Sequence, residues 1–408
     1  MSEQDGRGPI VIIGGGHAGV QVCAGLAALG QGARVHLVCE EAPLPYQRPP
    51  LSKSFLKNPQ EPLQEHRGEG WFADAGITLH RADPAVAIDR ARQRLRLRSG
   101  RELPYHRLVL ATGTRARQLP HLHADLDNVA VLRTAGDAQR LRALLEAAAQ
   151  VTVLGGGFIG LEVAATARAL GKAVTLLESA PRLLMRSVSA ELAQHVLDTH
   201  RAAGIDVRLG AAVGHFEVEG TRLAALGVDG VRHPVDLLVL GIGAVPQHQL
   251  ADDAGLECEN GIVVDEHLRT SDAAILAVGD CTSFPEPITG RRLRLESVQN
   301  ANDQARAAVA TLTGAPQPYR ALPWFWSEQG SLRLQMAGLM PAEGVRQHRP
   351  GASDTSFSIL HYAGKRLSCV ESVNAPLDHM AARKLLDAGI SPDPALACDP
   401  TRTLKSFL

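Results

Sequence analysis

Apolar and polar positions repeat one pattern in two parts of the chain. Pro9-Ile10-Val11-Ile12-Ile13 is a short β-branched run that enters Gly14-Gly15-Gly16-His17-Ala18-Gly19. A continuous apolar run of this length, stopped by glycine, predicts a buried strand. A helical pattern follows over Val20 to Leu29, and a second strand over Arg34 to Val38 leads to Glu40. The order then returns. Val151-Thr152-Val153-Leu154 enters Gly155-Gly156-Gly157-Phe158-Ile159-Gly160, a helix is predicted from about Leu161 to Leu170, and a strand over Ala173 to Leu177 ends at Glu178. Downstream, Leu108-Val109-Leu110-Ala111-Thr112-Gly113 is echoed by Leu238-Val239-Leu240-Gly241-Ile242-Gly243, each an apolar strand broken by glycine. The period is domain-sized, which indicates two copies of one module rather than a solenoid.

The glycines have separate tasks in such a module. Gly14 and Gly155 permit the tight turn from strand to helix, Gly16 and Gly157 remove a side chain where a pyrophosphate approaches the backbone, and Gly19 and Gly160 let helix and strand pack closely. The helix N-terminus offers unpaired N–H groups and partial positive charge to phosphate. Glu40 and Glu178 stand where an acid accepts ribose hydroxyls. Glu178 also repels a 2′-phosphate, which favours NADH over NADPH, although Arg182 and Arg186 follow closely. The expectation is a pair of dinucleotide-binding, Rossmann-like modules. A third element breaks the symmetry: Thr270-Ser271-Asp272 leads into Ala274 to Val278 and then Gly279-Asp280. This places a carboxylate at the C-terminal edge of a sheet, where open α/β sheets bind ligands. Asp280 as a helix N-cap is a compatible reading.

Composition narrows the picture. With 408 residues the chain is too long for one ordinary core, and a formal net charge of −1 gives no reason to expect nucleic acid or an anionic membrane as partner. The polar start, Met1 to Gly8, and the brief run Ile10 to Ile13 are too short for a signal sequence. A cytoplasmic protein with reduced thiols is expected, since the six cysteines (Cys23, Cys39, Cys258, Cys281, Cys369, Cys398) form no CxxC. Neither these nor the 16 histidines show metal-ligand spacing, so no metal site is expected. The alternating Arg92, Arg94, Arg96 and Arg98 could dock an acidic partner, but read better as the solvated face of a strand. Trp324 and Trp326 alternate in an aromatic cluster and are expected on opposite sides of a strand.

The ordered set GGGHAG, RPPLSK, LVLATG, GGGFIGLE, GIGAVPQ, TSDAAILAVGDC, ESVQNA and PWFWSEQG resembles the FAD-dependent ferredoxin reductases of the putidaredoxin-reductase and biphenyl-dioxygenase-reductase type, in the glutathione-reductase structural class. The resemblance runs from about Ile10 to the C-terminus. It implies that Gly14, Gly16, His17, Ala18 and Gly19 hold the FAD pyrophosphate, Glu40 the adenosine ribose, and Ala85 the adenine end through its backbone. Arg48 and Lys53 line the FAD, with Lys53 near the isoalloxazine. Thr112, Gly113, Arg133, Gly279 and Asp280 contact the cofactor, Asp280 at the ribityl chain, and Val298 lies at the flavin ring. Gly155, Gly157, Phe158, Ile159, Gly160, Glu178 and Gly243 bind NADH. Glu162 faces Lys53 and the nicotinamide, pairing across the two modules, and Trp326 brings the C-terminal domain against the flavin. Lys53, Glu162 and Trp326 are the candidate catalytic residues. Read without the resemblance, Lys53 could be a solvated surface lysine and Glu162 a first-turn acid that complements the helix dipole. His17 departs from the Leu of several relatives and points away from the phosphates.

The implied activity is hydride transfer from NADH to FAD, then single electrons to a [2Fe-2S] ferredoxin, Rieske-type or plant-type, that serves a ring-hydroxylating dioxygenase or a cytochrome P450. A disulfide reductase would need a dithiol at the flavin, and Arg48 to Leu56 contains no cysteine. Two alternatives stay open: a non-catalytic NADH-sensing flavoprotein, and an NADH oxidase that reacts directly with oxygen. The expected architecture is α/β. A split FAD domain (1–117 and 246–320) encloses an NAD domain (118–245), both Rossmann-like three-layer units, and an α+β domain (321–408) follows, in a monomer or homodimer. The last domain is expected to hold strands at Ser331 to Met336 and Phe357 to Leu360 and a helix over about Pro376 to Ala388.

Overall fold

The computed structural model describes residues 8–120, 122, 126–287 and 290–408. Contacts divide the chain into two compact units. The first joins Met1–Arg48, Leu63–Arg115 and Val245–Ala321; the second joins Pro49–Pro62, Ala116–Ala244 and Leu322–Leu408.

In the first unit Ile10–Ile13 is the centre of a five-stranded parallel sheet, with Val35–Val38 and Thr78–His80 to one side and Arg107–Leu110 and Ile275–Ala277 to the other. All four residues of Ile10–Ile13 are buried, as a strand covered on both faces requires. Helix His17–Ala28 packs on helix Val298–Leu312, and a Cβ on Gly25 would lie 2.8 Å from Val309, so glycine is what lets the two approach. A small antiparallel sheet, Ala85–Asp89, Arg94–Leu97 and Glu102–Pro104, is inserted before Arg107–Leu110. Arg94 and Arg96 are exposed there while Leu95 and Leu97 are buried, which makes the basic run a solvated strand face.

The second unit repeats this plan. Gln150–Leu154 is flanked by Ala173–Glu178 and Asp206–Leu209 on one side and by Leu237–Leu240 and Val129–Ala130 on the other, all parallel. The inserted antiparallel sheet is Val213–Glu219, Arg222–Val228 and Val231–Pro234. The copies differ in their fifth strand, which comes from far downstream in the first unit and from just upstream in the second.

The same unit carries a five-stranded antiparallel sheet in the order Trp324–Gln329, Leu332–Gly338, Arg366–Val373, Phe357–Ala363, Val345–Pro350, with helix Pro376–Asp387 packed against it. Its apolar face shares one core with the dinucleotide module, where Leu334, Ile359 and Val373 pack with Val153, Leu161 and Leu176, and with Leu56. That common core is why residues 49–62 and 322–408 fall in one compact unit with 116–244. A buried pair fastens the sheet further: Glu371 accepts His361 Nε2 at 2.8 Å and the N–H of Ser189 at 2.8 Å. Ser189 in turn caps helix Ala190–Ala202 through its hydroxyl. Among the described residues no helix is long and apolar enough to cross a membrane.

Candidate functional site

The two glycine loops are built alike. Gly14 N–H bonds Val38 at 2.8 Å, and Gly155 N–H bonds Leu177 at 2.8 Å. Gly14 has φ +115° and Gly155 φ +110°, and a Cβ at either would press on a carbonyl, Ala111 O at 2.1 Å or Gly241 O at 2.4 Å. A Cβ on Gly19 would lie 1.9 Å from Gly14 O, and one on Gly160 would lie 2.1 Å from Gly155 O. Gly16 is different, since a Cβ there meets nothing within 4 Å, and at Gly157 the nearest atom is 3.9 Å away. No protein atom requires glycine at these two positions, and the backbone there is left open for a ligand to approach.

The helix starts say the same. His17–Ala28 and Phe158–Ala169 begin at Gly16 and Gly157, with no capping side chain and no acid in the first turn. Both begin three residues earlier than periodicity predicted, because the loop glycines themselves open the helix. Helices Ala135–Ala147, Ala190–Ala202 and Val298–Leu312 are instead capped by Thr134, Ser189 and Ser297. Open first-turn N–H groups over a cleared backbone are the cradle that a pyrophosphate needs. His17, Ala18, Phe158 and Ile159 form these first turns. His17 stands edge-on to His66, ring centres 4.4 Å apart.

The strand-end acids differ from each other. Glu178 closes its strand and accepts the N–H groups of Gly156 at 2.6 Å and Ala180 at 2.7 Å, which fixes a carboxylate beside the second cradle. Arg182 is occupied by the carbonyls of Val188 and Met185, both at 2.8 Å. Glu40 lies two residues past Val38 and is exposed. Its neighbour Glu41 is the acid that engages Arg48, at 3.0 Å, and Tyr46, at 2.5 Å.

Other predicted residues gather in the first unit. A Cβ on Gly279 (φ +82°) would lie 3.1 Å from Ala18 Cβ, so this turn abuts the first cradle. Gln304 accepts its N–H at 2.7 Å. Asp280 is half-buried inside the turn Gly279–Cys281, whose cap is Val278, so it is not an N-cap. Val298 opens its helix, Ala85 opens its strand, and Thr112 donates to Gln247 O at 2.5 Å beside Gly113. Arg133 belongs to the second unit, where its N–H meets Asp137 at 3.0 Å. Gly243 is there too, with φ +100°.

Lys53 and Glu162 do meet, Nζ to Oε2 at 2.7 Å. The sequence predicts a pair across two modules, but both residues lie within the second unit, because Pro49–Pro62 packs there. Glu162 is the fifth residue of its helix and only 4% exposed, so it is neither a first-turn acid nor a surface group. Two further hydroxyls bind its carboxylate, Ser52 at 2.5 Å and Ser327 at 2.7 Å. Sequence reasoning passed over both, although each sits in a quoted motif. Trp324 and Trp326 share a strand face, ring centres 5.6 Å apart, which corrects the expectation of opposite sides: residues i and i+2 of a strand point the same way. Phe325 and Ser327 take the other face, Phe325 against Phe158 at 4.6 Å.

All six cysteines are free thiols. Burial raises the pKa of Cys281, whose Sγ lies 3.3 Å from Val278 O, and pushes that of Cys39, packed on Gly15, up to about 12. Neither is a thiolate nucleophile at neutral pH. Among the described residues no three His, Cys, Asp or Glu converge as metal ligands.

Residues 8–305 match the family model described as pyridine nucleotide-disulphide oxidoreductase, and residues 324–408 match one described as reductase C-terminal. The chain belongs to the pyridine nucleotide-disulphide oxidoreductases. It is 43% identical over 399 residues to rhodocoxin reductase of Rhodococcus erythropolis, covering 97% of this chain and 93% of that protein. It is 39% identical over 407 residues to putidaredoxin reductase of Pseudomonas putida, covering 98% and 96%. The ferredoxin reductase for the CYP199A2 system from Rhodopseudomonas palustris superposes with a TM-score of 0.94 at 42% identity, over 98% of this chain and 99% of that one. Within the family this chain is a ferredoxin–NAD(+) reductase, an FAD-dependent oxidoreductase that uses NAD(H). The uncapped cradles fit two such nucleotides.

Proposed function

We propose that this chain carries electrons from NADH to a [2Fe-2S] ferredoxin that serves an oxygenase. The observation that carries the reading is the pair of equivalent cradles, each with an open first turn and a glycine that no neighbouring protein atom requires. Bound FAD supplies the step between a two-electron donor and a one-electron acceptor.

The protein's residues bind and orient. Gly14, Gly16, His17, Ala18 and Gly19, with Gly279, Asp280 and Val298, are assigned to FAD. Arg48, held by Glu41 and Tyr46, Ala85 and Glu40 are assigned to the same cofactor, as are Thr112, Gly113 and Arg133. Gly155, Gly157, Phe158, Ile159, Gly160, Glu178 and Gly243 are assigned to NADH. Lys53, held in place by Glu162, is assigned to the reacting rings, and Trp326 to the same region. The domain roles follow, with FAD on 1–117 and 246–320, NAD on 118–245 and the reductase-specific part on 321–408. Rhodocoxin reductase and putidaredoxin reductase are named for the partners they reduce, and the ferredoxin–NAD(+) reductase component of an anthranilate 1,2-dioxygenase system is among the relatives at 40% identity. The partner class assigned here is a [2Fe-2S] ferredoxin, Rieske-type or plant-type. The reducing, NADH-supplied cytoplasm suits six free thiols.

The test is anaerobic stopped-flow mixing of the FAD-loaded protein with NADH and, separately, NADPH, followed by a panel of [2Fe-2S] ferredoxins. Rapid bleaching by NADH and rapid recovery with one ferredoxin are expected. A long-lived bleached state with every ferredoxin identifies an NADH sensor, and recovery by oxygen alone identifies an oxidase.

A further inference from the structure

Glu162 is the end of a longer chain of buried polar groups. Ser327 Oγ, on its Oε1, also contacts Gln329 Nε2 at 3.1 Å, and Gln329 Oε1 lies 2.9 Å from His200 Nε2. Ser327, Gln329 and His200 are 1%, 2% and 3% exposed. Three buried polar side chains at the junction of strand Trp324–Gln329 and helix Ala190–Ala202 need a reason, because apolar residues would fill the space without a desolvation cost.

The direction of every hydrogen bond follows from one end. A carboxylate paired with lysine carries no hydrogen, so Ser327 gives its single hydroxyl hydrogen to Glu162. Ser327 Oγ then accepts the Gln329 N–H. This turns the Gln329 carbonyl toward His200, which must present an N–H. Burial lowers the pKa of His200, which keeps the ring neutral, with the proton on Nε2. All donors therefore point toward Glu162.

We infer that Ser327, Gln329 and His200 are positioning residues, a one-way chain of donors that fixes the Glu162 carboxylate and, through it, Lys53 Nζ. The inference rests on the assignment of Lys53 and Glu162 to the reacting rings. It makes the reductase-specific strand part of the nucleotide site: Trp324 and Trp326 occupy one face, while Ser327 and Gln329 hold the ion pair from the other.

The test compares S327A, Q329E, the double variant S327A/Q329E and K53M as FAD-loaded proteins. Stopped-flow bleaching by NADH gives the limiting rate and the half-saturating NADH, and melting temperature is recorded beside them. S327A is expected to slow the limiting rate about tenfold, the scale of one hydrogen bond to a charged group, with half-saturating NADH unchanged. Q329E is expected to slow it equally, because the introduced carboxylate has no hydrogen for Ser327 and draws the Ser327 hydroxyl away from Glu162. The double variant is expected to be no slower than either single one, since all three lose the same bond. If Q329E does not retain FAD, H200F carries that arm: without a donor, the Gln329 amide is free to turn its oxygen to Ser327, with the same slowing. Parental rates in S327A and in Q329E or H200F, with K53M slow, overturn the inference and leave the assignment of Lys53 standing. A slow S327A with a normal Q329E or H200F overturns the chain beyond Ser327. A parental rate in K53M overturns the underlying assignment, and the inference with it.

Discussion

Lys53 and Glu162 are 109 residues apart in the chain, and Nζ and Oε2 meet at 2.7 Å. Glu162 is almost wholly buried, whereas the Lys53 side chain keeps 23% of its surface exposed. The carboxylate is thus the fixed partner and the ammonium the one that can face a ligand. K53M removes the charge but keeps the stem. On the order of a hundredfold loss in the limiting rate of flavin bleaching by NADH is expected, the scale of a lost preorganised electrostatic contact. Half-saturating NADH stays close to parental, and an unchanged rate contradicts the assignment.

The glycines of the first cradle divide into two kinds, and substitution separates them. G16A places its methyl in open space, so the FAD-free protein melts as the parent does. FAD binding weakens by roughly 1.5–3 kcal/mol as backbone contacts to the charged pyrophosphate are lost. G14A forces φ +115° on an L-residue and drives its Cβ onto Ala111 O, so that variant loses stability before any ligand is added. Titration of each FAD-free variant with FAD, beside a melting curve, checks both halves.

Glu178 is locked by two backbone N–H groups beside the second cradle, and Arg182 is engaged with its own loop. A 2′-phosphate there meets the Glu178 charge, while Arg182 is turned to its own loop. E178A is expected to raise kcat/KM for NADPH relative to NADH by roughly tenfold or more, the size of a removed like-charge contact. Steady-state kinetics with both nucleotides measures the ratio, and an unchanged ratio removes Glu178 from nucleotide selection.

His379 is 2% exposed, and neither ring nitrogen has a hydrogen-bond partner. Burial, with Arg383 and Arg333 nearby, lowers its pKa from 6.5 to about 4. The unfolded chain then binds a proton that the folded one refuses between about pH 6.5 and 4. This contribution to stability is full above pH 6.5 and is lost as pH falls through that window. H379F removes it. Melting temperature against pH is expected to fall less steeply below pH 6.5 in H379F than in the parent, and parallel curves contradict the shift.

Much of this was legible in the sequence because glycine spacing and strand-end acids are local signals. The two modules, the central strands and the cradle glycines follow from runs such as Val151 to Gly160 alone. The supports of Glu162 did not, because Ser52, Ser327 and His200 come from three distant segments that only the shared core brings together. Ser327 was within reach: a period of two puts it on the face opposite Trp326, and the misplacement of Trp324 and Trp326 was an error in that same period. Residues 49–62 follow a stretch of the first unit in sequence but pack in the second, since Leu56 belongs to its core. No periodicity within a short segment carries that information.

Electron delivery tests the central claim most directly. The FAD-loaded protein, made anaerobic and reduced with one equivalent of NADH, is mixed with an excess of oxidised [2Fe-2S] ferredoxin, and flavin and ferredoxin absorbance are followed together. Full return of the flavin colour as two equivalents of ferredoxin become reduced is the expected result. A flavin that stays bleached beside every oxidised ferredoxin, and recovers only when oxygen is admitted, contradicts the account.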